Sequence, residues 1–295
     1  MHGTIERQAE ARTRGWVSGF LGVAIFSGSL PATRVAILGF DPLFLTAARA
    51  VIAGVLAAAL LVLLRAPRPA RSDLWPLVIV ALGVVVGFPL LTALALQHVT
   101  SAHSIVFVGL LPLSTALFAV LRGGERPRPA FWLFSGLGSA VVAGFAFSQG
   151  IGASPAGDLL MLAAILVCGL GYAEGGKLSR RLGGWQVISW ALVLSLPPML
   201  ALALVTHPAT LAGIALPAWL GLAYVSLFSM LIGFVFWYRG LALGGIAAVG
   251  QLQLLQPLMG LALAALLLGE PVTTSMLAAT LAVITCVFGA KRFAG

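Results

Sequence analysis

The chain has 295 residues, of which 60% are hydrophobic and 8% are charged, and its formal net charge is +9. Soluble domains carry roughly 25% charged residues, so this composition excludes a water-exposed globular surface. Several continuous apolar stretches have the ~20-residue length that crosses a bilayer as a helix, and they lack the alternation of membrane strands. The sequence therefore predicts an all-α integral membrane protein.

Taken in chain order, the apolar stretches predict ten transmembrane helices joined by short connections. A polar tail at 1–14 is followed by spans at approximately 15–36, 42–64, 74–96, 101–121, 130–149, 156–179, 185–205, 217–238, 246–268 and 274–290. None of the connections is long enough to form a soluble domain. Nearly the whole protein is therefore expected to lie in the membrane.

Basic residues collect on one side of this ten-span arrangement. They are Arg7, Arg12, Arg14, Arg65, Arg68, Arg71, Arg122, Arg126, Arg128, Lys177, Arg180, Arg181, Arg239, Lys291 and Arg292. The opposite side receives Arg34, and Arg49 lies inside the second span near that same side. Because Lys and Arg favour cytoplasmic loops, both termini are predicted to be cytoplasmic. The positive charge indicates topology rather than nucleic-acid binding.

The second half of the sequence repeats features of the first half at a constant spacing. Pro112 matches Pro257 and Glu125 matches Glu270, since 257 − 112 = 145 and 270 − 125 = 145. A helix-breaking proline and a rare acid are unlikely to agree in spacing by chance in so apolar a chain. The repeat predicts two five-helix halves, 15–149 and 156–291. Because five is odd, the second half must be inverted in the membrane, as in many secondary transporters with a central cavity.

With its five-plus-five spans and the recurring Pro and Gly-Glu pattern of the fourth and ninth spans, the chain resembles the EamA-type branch of the drug/metabolite transporter superfamily. The resemblance implies that the first, third, fourth, sixth, eighth and ninth helices surround the cavity, with the fifth and tenth outside. It also implies a bacterial inner-membrane exporter of amino acids or related metabolites; one branch exports aromatic amino acids. Glu125 and Glu270 match the family's Gly-Glu signature, which indicates a structural feature at a helix end.

Three glutamines lie in the otherwise apolar ninth span. A glutamine facing lipid leaves its amide unpaired at a cost of a few kcal/mol, so Gln251, Gln253 and Gln256 are expected to point inward. Gln253 and Gln256 share a helical face with Gly260 and are predicted to bind substrate, whereas Gln251 is expected to bond a neighbouring helix. The alternative is that all three only join helices.

Further polar and aromatic residues lie on helices that the resemblance places around the cavity. The predicted substrate-binding set is completed by Ser27, Phe88, Thr92, Ser104, Phe107 and Tyr224. Pro112 and Pro257 are predicted hinges, because each frees a carbonyl one turn earlier, at Val108 and Gln253. For each residue the alternative is a packing role.

Glu174 is an acid well inside a predicted span, which makes it a candidate for proton coupling. Lys177 follows three residues later, so a structural ion pair on the same helix face is the alternative. Trp237 and Tyr238 precede Arg239 at the expected cytoplasmic boundary, and interfacial anchoring is their expected role. Gly83–Gly87 and Gly171–Gly175 have the GxxxG spacing of close helix packing.

These observations support a secondary transporter that exports a small neutral or zwitterionic solute by alternating access, with amino acids favoured through the resemblance. Neither a phosphate-binding loop nor a hydrolase motif is present, so no cofactor and no enzymatic activity are predicted. Energy coupling stays open between a proton gradient and facilitated diffusion. Lipid is the expected surrounding partner, and the chain is expected as a monomer or weak homodimer. The alternatives are a multidrug or other metabolite exporter of the same fold, a membrane enzyme acting on lipid-linked substrates, and a channel.

Overall fold

The computed structural model describes residues 2–99, 104, 107–148, 154–268 and 274–293, which form helices and connections without a β-strand. The α-helices are α1 His2–Ser27, α2 Ser29–Ala36, α3 Pro42–Leu63, α4 Arg71–Val80, α5 Phe88–His98, α6 Leu111–Gly123, α7 Pro129–Ser148, α8 Pro155–Leu182, α9 Gly184–Val205, α10 Leu216–Tyr224, α11 Gly233–Gly244, α12 Ile246–Gly250, α13 Gln256–Leu268 and α14 Thr274–Phe293. Glu270 and the start of the predicted fourth span lie outside the described residues.

Six helical stretches among the described residues are long and apolar enough to cross a membrane. They are Glu10–Ala36, Pro42–Leu63, Arg71–His98, Pro155–Leu182, Gly184–Val205 and Leu216–Gly244. Shorter apolar helices occur at Leu111–Gly123 and Pro129–Phe145. The protein is therefore a multi-pass helical membrane protein.

Several of these stretches are interrupted by non-α segments. Ala81–Gly87 and Val225–Ile232 are π-helical, and Gln251–Leu255 is a 3₁₀-helix. A turn at Gly28 separates α1 from α2. Such departures from α-helical geometry often mark functional positions, because they break the regular hydrogen-bond ladder.

Helix boundaries recur with the same spacing as the sequence repeat. The starts of α6 and α13 are 256 − 111 = 145 residues apart. Even the ends of the two π-helices are 232 − 87 = 145 residues apart. The backbone irregularities of one half thus recur in the other.

The helices pack in pairs, each pair joining helices that are far apart in the sequence. The most extensive packing joins α1 with α11, α3 with α9, α7 with α14, and α6 and α5 with α8. Glycines allow the closest approaches: a Cβ on Gly83 would lie 2.6 Å from the Val167 carbonyl oxygen and 3.0 Å from Gly171 Cα. The two segments with GxxxG spacing therefore pack closely against each other, at Gly83 and Gly171.

Candidate functional site

The first membrane-spanning stretch is broken at Gly28, and side chains from distant helices bind the carbonyls around the break. The Tyr224 hydroxyl donates to the Ile25 carbonyl oxygen at 2.6 Å. The Gln256 amide nitrogen donates to the Phe26 carbonyl oxygen at 3.4 Å. A Cβ on Gly28 would lie 2.4 Å from the Tyr224 hydroxyl oxygen, so only glycine leaves room for this contact. Hydrogen bonds from Tyr224 on α10 and Gln256 on α13 therefore join these helices to α1 at the break.

Immediately after the break, hydroxyl groups connect α2 to the π-helical segment and to α3. The Ser29 hydroxyl donates to Ser229 Oγ at 2.7 Å. Arg49 Nη2 donates to the same Ser229 oxygen at 3.2 Å. Arg49 and Ser229 are only 6% and 5% exposed. A fixed positive charge therefore lies in the protein interior beside the broken helix. We call Ser27, Ser29, Arg49, Tyr224, Ser229 and Gln256 the break cluster.

The three glutamines of the ninth predicted span all lie inside the bundle. The Gln251 amide nitrogen donates to Ser135 Oγ on α7 at 3.1 Å, the interhelical bond expected of this residue. Gln253 Oε1 accepts from Thr115 Oγ1 on α6 at 3.4 Å. Each amide keeps one buried atom without a partner among the described residues: Gln251 Oε1, Gln253 Nε2 and Gln256 Oε1. The interior therefore retains hydrogen-bonding capacity that a polar solute can use.

The other predicted binding residues are buried or half-buried. The Thr92 hydroxyl donates to backbone oxygens of its own helix, at Phe88 and Pro89. Ser104 is buried, whereas Phe88 and Phe107 are half-buried. Of the predicted set, Tyr224 and Gln256 bond the carbonyls at the break, whereas the adjacent Ser27 hydroxyl donates to the Val23 carbonyl oxygen of its own helix.

Both predicted hinge prolines lie in the first turn of a helix, α6 for Pro112 and α13 for Pro257, where a missing N–H is readily tolerated. The expectation that Pro257 frees the Gln253 carbonyl is wrong, because the Gln256 N–H donates to that oxygen. The 3₁₀ segment before α13 tightens the turn and supplies this bond. A change of helix type therefore precedes the proline.

Glu174 forms an ion pair across helices rather than along its own helix. Arg122 Nε on α6 lies 2.7 Å from Glu174 Oε1, whose side chain is 3% exposed. Glu174 and the exposed Lys177 form no ion pair, so the alternative of a pair along the same helix face is wrong. The cause is packing: α6 lies directly against α8 and presents its terminal arginine to the buried acid.

Two further acids tie helices together at the same end of the bundle, which we call the arginine-rich end. Asp73 pairs with Arg181 at the end of α8. Glu125 pairs with Arg180 at 2.5 Å and also accepts from the backbone N–H groups of Ile246 and Ala247, at 2.8 and 2.7 Å. The Gly-Glu signature thus caps the start of α12 through Glu125, which is the structural role expected of it.

A buried aromatic cluster lies between the break and the arginine-rich end. The Phe26 ring centroid is 4.9 Å from that of Phe234, and Tyr172 is 5.3 Å from Trp237. Trp237 and Tyr238 are fully buried, and the Tyr238 hydroxyl donates to the Gly171 carbonyl oxygen at 3.2 Å. The expected interfacial position of Trp237 and Tyr238 is therefore wrong, because α11 turns both rings toward α1 and α8.

Two surface pockets are lined by residues outside the break cluster. One of about 900 Å³ is lined by Arg12, Phe134, Thr285, Phe288, Gly289, Lys291, Arg292 and Phe293. Another of about 470 Å³ lies between Val35–Gly39 and Ala212–Ala218. Neither is lined by a predicted binding residue. In this conformation the residues of the break cluster pack against one another instead of lining either pocket.

Comparison with known proteins gives a consistent result over nearly the whole chain. The model of the EamA-like transporter family matches twice, at residues 13–147 and 155–290. A Bacillus subtilis (strain 168) protein named "Uncharacterized transporter YdeK" is 69% identical over 282 residues, which cover 96% of this chain and 98% of that protein. One solved crystal structure superimposes with a TM-score of 0.78 at 20% identity, covering 96% of this chain and 98% of that one.

Proposed function

Because the chain belongs to the EamA-like transporter family, we propose that it is a secondary transporter that exports amino acids or related small metabolites by alternating access. We place it in the bacterial cytoplasmic membrane with both termini in the cytoplasm, on the basis of the basic residues at the arginine-rich end. Family membership assigns the protein to transporters rather than enzymes.

We propose an architecture of ten spans in two inverted five-helix repeats, 15–149 and 156–291. Two matches to one family model support it, and so does the spacing of 145 residues between the starts of Leu111–Gly123 and Gln256–Leu268. An odd number of spans per repeat requires the second copy to enter from the opposite face. The break cluster then lies between the halves, where transporters of this type bind their solutes.

The observation that carries the proposal is the broken helix at Gly28 with its polar partners. A break in a spanning helix exposes backbone carbonyls that lipid cannot satisfy, so it is tolerated only inside the protein or around a solute path. Here Tyr224 and Gln256 each donate one hydrogen bond to a carbonyl at the break, Tyr224 to Ile25 and Gln256 to Phe26, and the Ile25 oxygen also accepts from the Gly28 N–H at 3.3 Å. A solute that replaces these bonds can separate the helices without leaving buried polar groups unpaired.

Alternating access then requires the arginine-rich end to open. The aromatic cluster around Trp237 and the ion pair of Glu174 with Arg122 close the route from the break cluster to this end. Opening must separate α8 from α6 and α11, because these contacts cross between those helices. Pro112 and Pro257, each at the start of a helix with an irregular preceding turn, are the proposed bending points.

The composition of the interior favours a neutral or zwitterionic solute. Amide, hydroxyl and aromatic groups dominate the interior near the break, whereas a phosphorylated solute requires several cationic side chains. Substrate contacts are proposed for Ser27, Tyr224 and Gln256 in the break cluster and for Gln253, Phe88, Thr92, Ser104 and Phe107 along the path. Glu174 is the proposed coupling residue if transport is driven by protons, because it is buried between two moving helices.

The test is counterflow of labelled phenylalanine, leucine and glutamine in proteoliposomes. Gln256→Leu is expected to reduce transport at least about tenfold, since it removes a bond at the break. Gln251→Leu is the matched control, because its bond to Ser135 lies away from the break, and it is expected to retain transport. Movement of a phosphorylated or cationic solute but of no amino acid would show that the proposed substrate class is wrong.

A further inference from the structure

Arg49 is a buried charge that the structure leaves without a counter-ion. It is 6% exposed, seven residues into the spanning helix Pro42–Leu63, and thus about 10 Å from the start of that helix. Among the described residues no carboxylate forms an ion pair with it, and the one hydrogen bond that it makes there goes to a neutral serine hydroxyl. Its Nε is buried and has no partner there. An arginine stays protonated in proteins, so an uncompensated positive charge is buried.

The protein neutralises its other deeply buried charges. Asp73 and Glu174 have side chains 2% and 3% exposed, and each is paired with an arginine. Burying a charge without a partner is costly, so a purely structural hydrogen bond to Ser229 does not account for a guanidinium at this position. The contrast indicates that the counter-charge of Arg49 arrives from outside the chain.

The position of Arg49 connects it to the proposed transport path. Its bond partner Ser229 accepts from Ser29, which directly follows the Gly28 break. The Nε–H and the adjacent Nη–H of an arginine form a parallel pair of donors that matches the two oxygens of a carboxylate. One cation suits a single negative charge and does not suit a phosphate.

We propose that Arg49 is the carboxylate-binding residue of this transporter: it pairs with the carboxylate of an amino acid or another organic acid, while Ser29 and Ser229 line the same position. This inference rests on the proposed function and names the solute group that the site recognises. The amine or side chain of the solute then lies toward the break, where Gln256 Oε1 is an acceptor without a partner.

The experiment compares ligand affinity for matched acid and amide probes with the full chain in nanodiscs. The pairs are phenylalanine with phenylalaninamide, leucine with leucinamide, and benzoate with benzamide, measured by ligand-dependent shifts in unfolding temperature. The wild type is expected to favour the acid of each transported pair. Arg49→Gln is expected to raise the dissociation constants of the acids by about tenfold to 100-fold, because it removes one or two charge-assisted hydrogen bonds. The dissociation constants of the amides are expected to change by less than about threefold.

Arg34→Gln is the matched control, because it removes the same charge from an exposed residue on the same side of the bundle as Arg49. It is expected to leave the acid preference intact. Equal binding of acids and amides by the wild type, no acid binding at all, or equal losses in both variants would overturn the inference. Competition by chloride that is equally strong against every acid would also overturn the inference, because it would show a site that binds anions without recognising a carboxylate.

A stability measurement separates recognition from a structural role. Removing an uncompensated buried charge is expected to leave the unfolding temperature of Arg49→Met unchanged or raised. A clear fall in both Arg49→Met and Arg49→Gln relative to Arg34→Gln would make Arg49 structural and overturn the inference. If acids bind in an Arg49-dependent manner but no solute moves in proteoliposomes, the proposed transport function fails while the binding assignment stands.

Discussion

Glu125 offers the most quantitative prediction, because its carboxylate caps the start of α12. Its two oxygens accept from Ile246 and Ala247 N–H at 2.8 and 2.7 Å. Hydrogen bonds to a charged acceptor contribute about 1.5–3 kcal/mol each, and the 17% exposure of the side chain favours the lower end of that range. The ion pair with Arg180, which is 41% exposed, adds less than about 1 kcal/mol. Glu125→Ala is thus expected to destabilise the start of α12 by about 3–4 kcal/mol.

Hydrogen exchange read by mass spectrometry measures this directly in the peptide that contains Ile246 and Ala247. At 1.4 kcal/mol per factor of ten, the two amides are expected to exchange at least about 100-fold faster in Glu125→Ala than in the wild type. Glu125→Gln keeps one acceptor oxygen and is expected to fall between them. Glu174→Gln is the control, because Glu174 bonds Arg122 and not α12. Equal exchange in Glu125→Ala and Glu174→Gln would refute the capping role.

Two other contacts predict paired outcomes. Gly28→Ala forces a Cβ to within 2.4 Å of the Tyr224 hydroxyl. It is expected to lower the free energy of unfolding by about 1–3 kcal/mol and to impair counterflow. The control is Gly136→Ala, whose Cβ meets nothing within 4 Å and which is expected to be neutral or slightly stabilising. If Gly28→Ala changed neither stability nor counterflow, the close approach of Tyr224 to Gly28 would not be needed at the break. Glu174→Gln is expected to lower the unfolding temperature by the equivalent of about 1–2 kcal/mol, since half-exposed Arg122 retains some hydration, whereas Lys177→Gln should change it by less than about 0.5 kcal/mol. Equal shifts for these two variants would contradict the pairing described here.

The sequence predicts the helical class and most helix positions because both depend on local properties. Apolar length sets where a helix can cross the membrane, and the turn residues around Pro42 and Pro129 mark where helices begin. The inward position of Gln251, Gln253 and Gln256 follows from the cost of exposing an unpaired amide to lipid, and all three side chains are buried. Their roles in transport remain predictions.

The failures concern which helix faces which neighbour. Glu174 pairs with Arg122, and Trp237 and Tyr238 are fully buried, because the rotation of each helix depends on long-range packing that local patterns do not record. The distribution of basic residues accounts for Arg49 only as a charge on the less basic side of the membrane, although a charge inside a span is itself a signal of function. The break at Gly28 was equally hidden, since it depends on Tyr224 and Gln256 arriving from distant parts of the chain.

The central claim is that the broken helix at Gly28 lies on a path open alternately to the two sides of the membrane. It is tested most directly by labelling Ser27→Cys, in a background with Cys168 and Cys286 replaced by serine, with an impermeant thiol reagent applied to oriented proteoliposomes. The reagent is expected to reach this cysteine from either side, and a transported amino acid is expected to protect it. Reaction from one side only, or no reaction from either side in protein that transports, would contradict it.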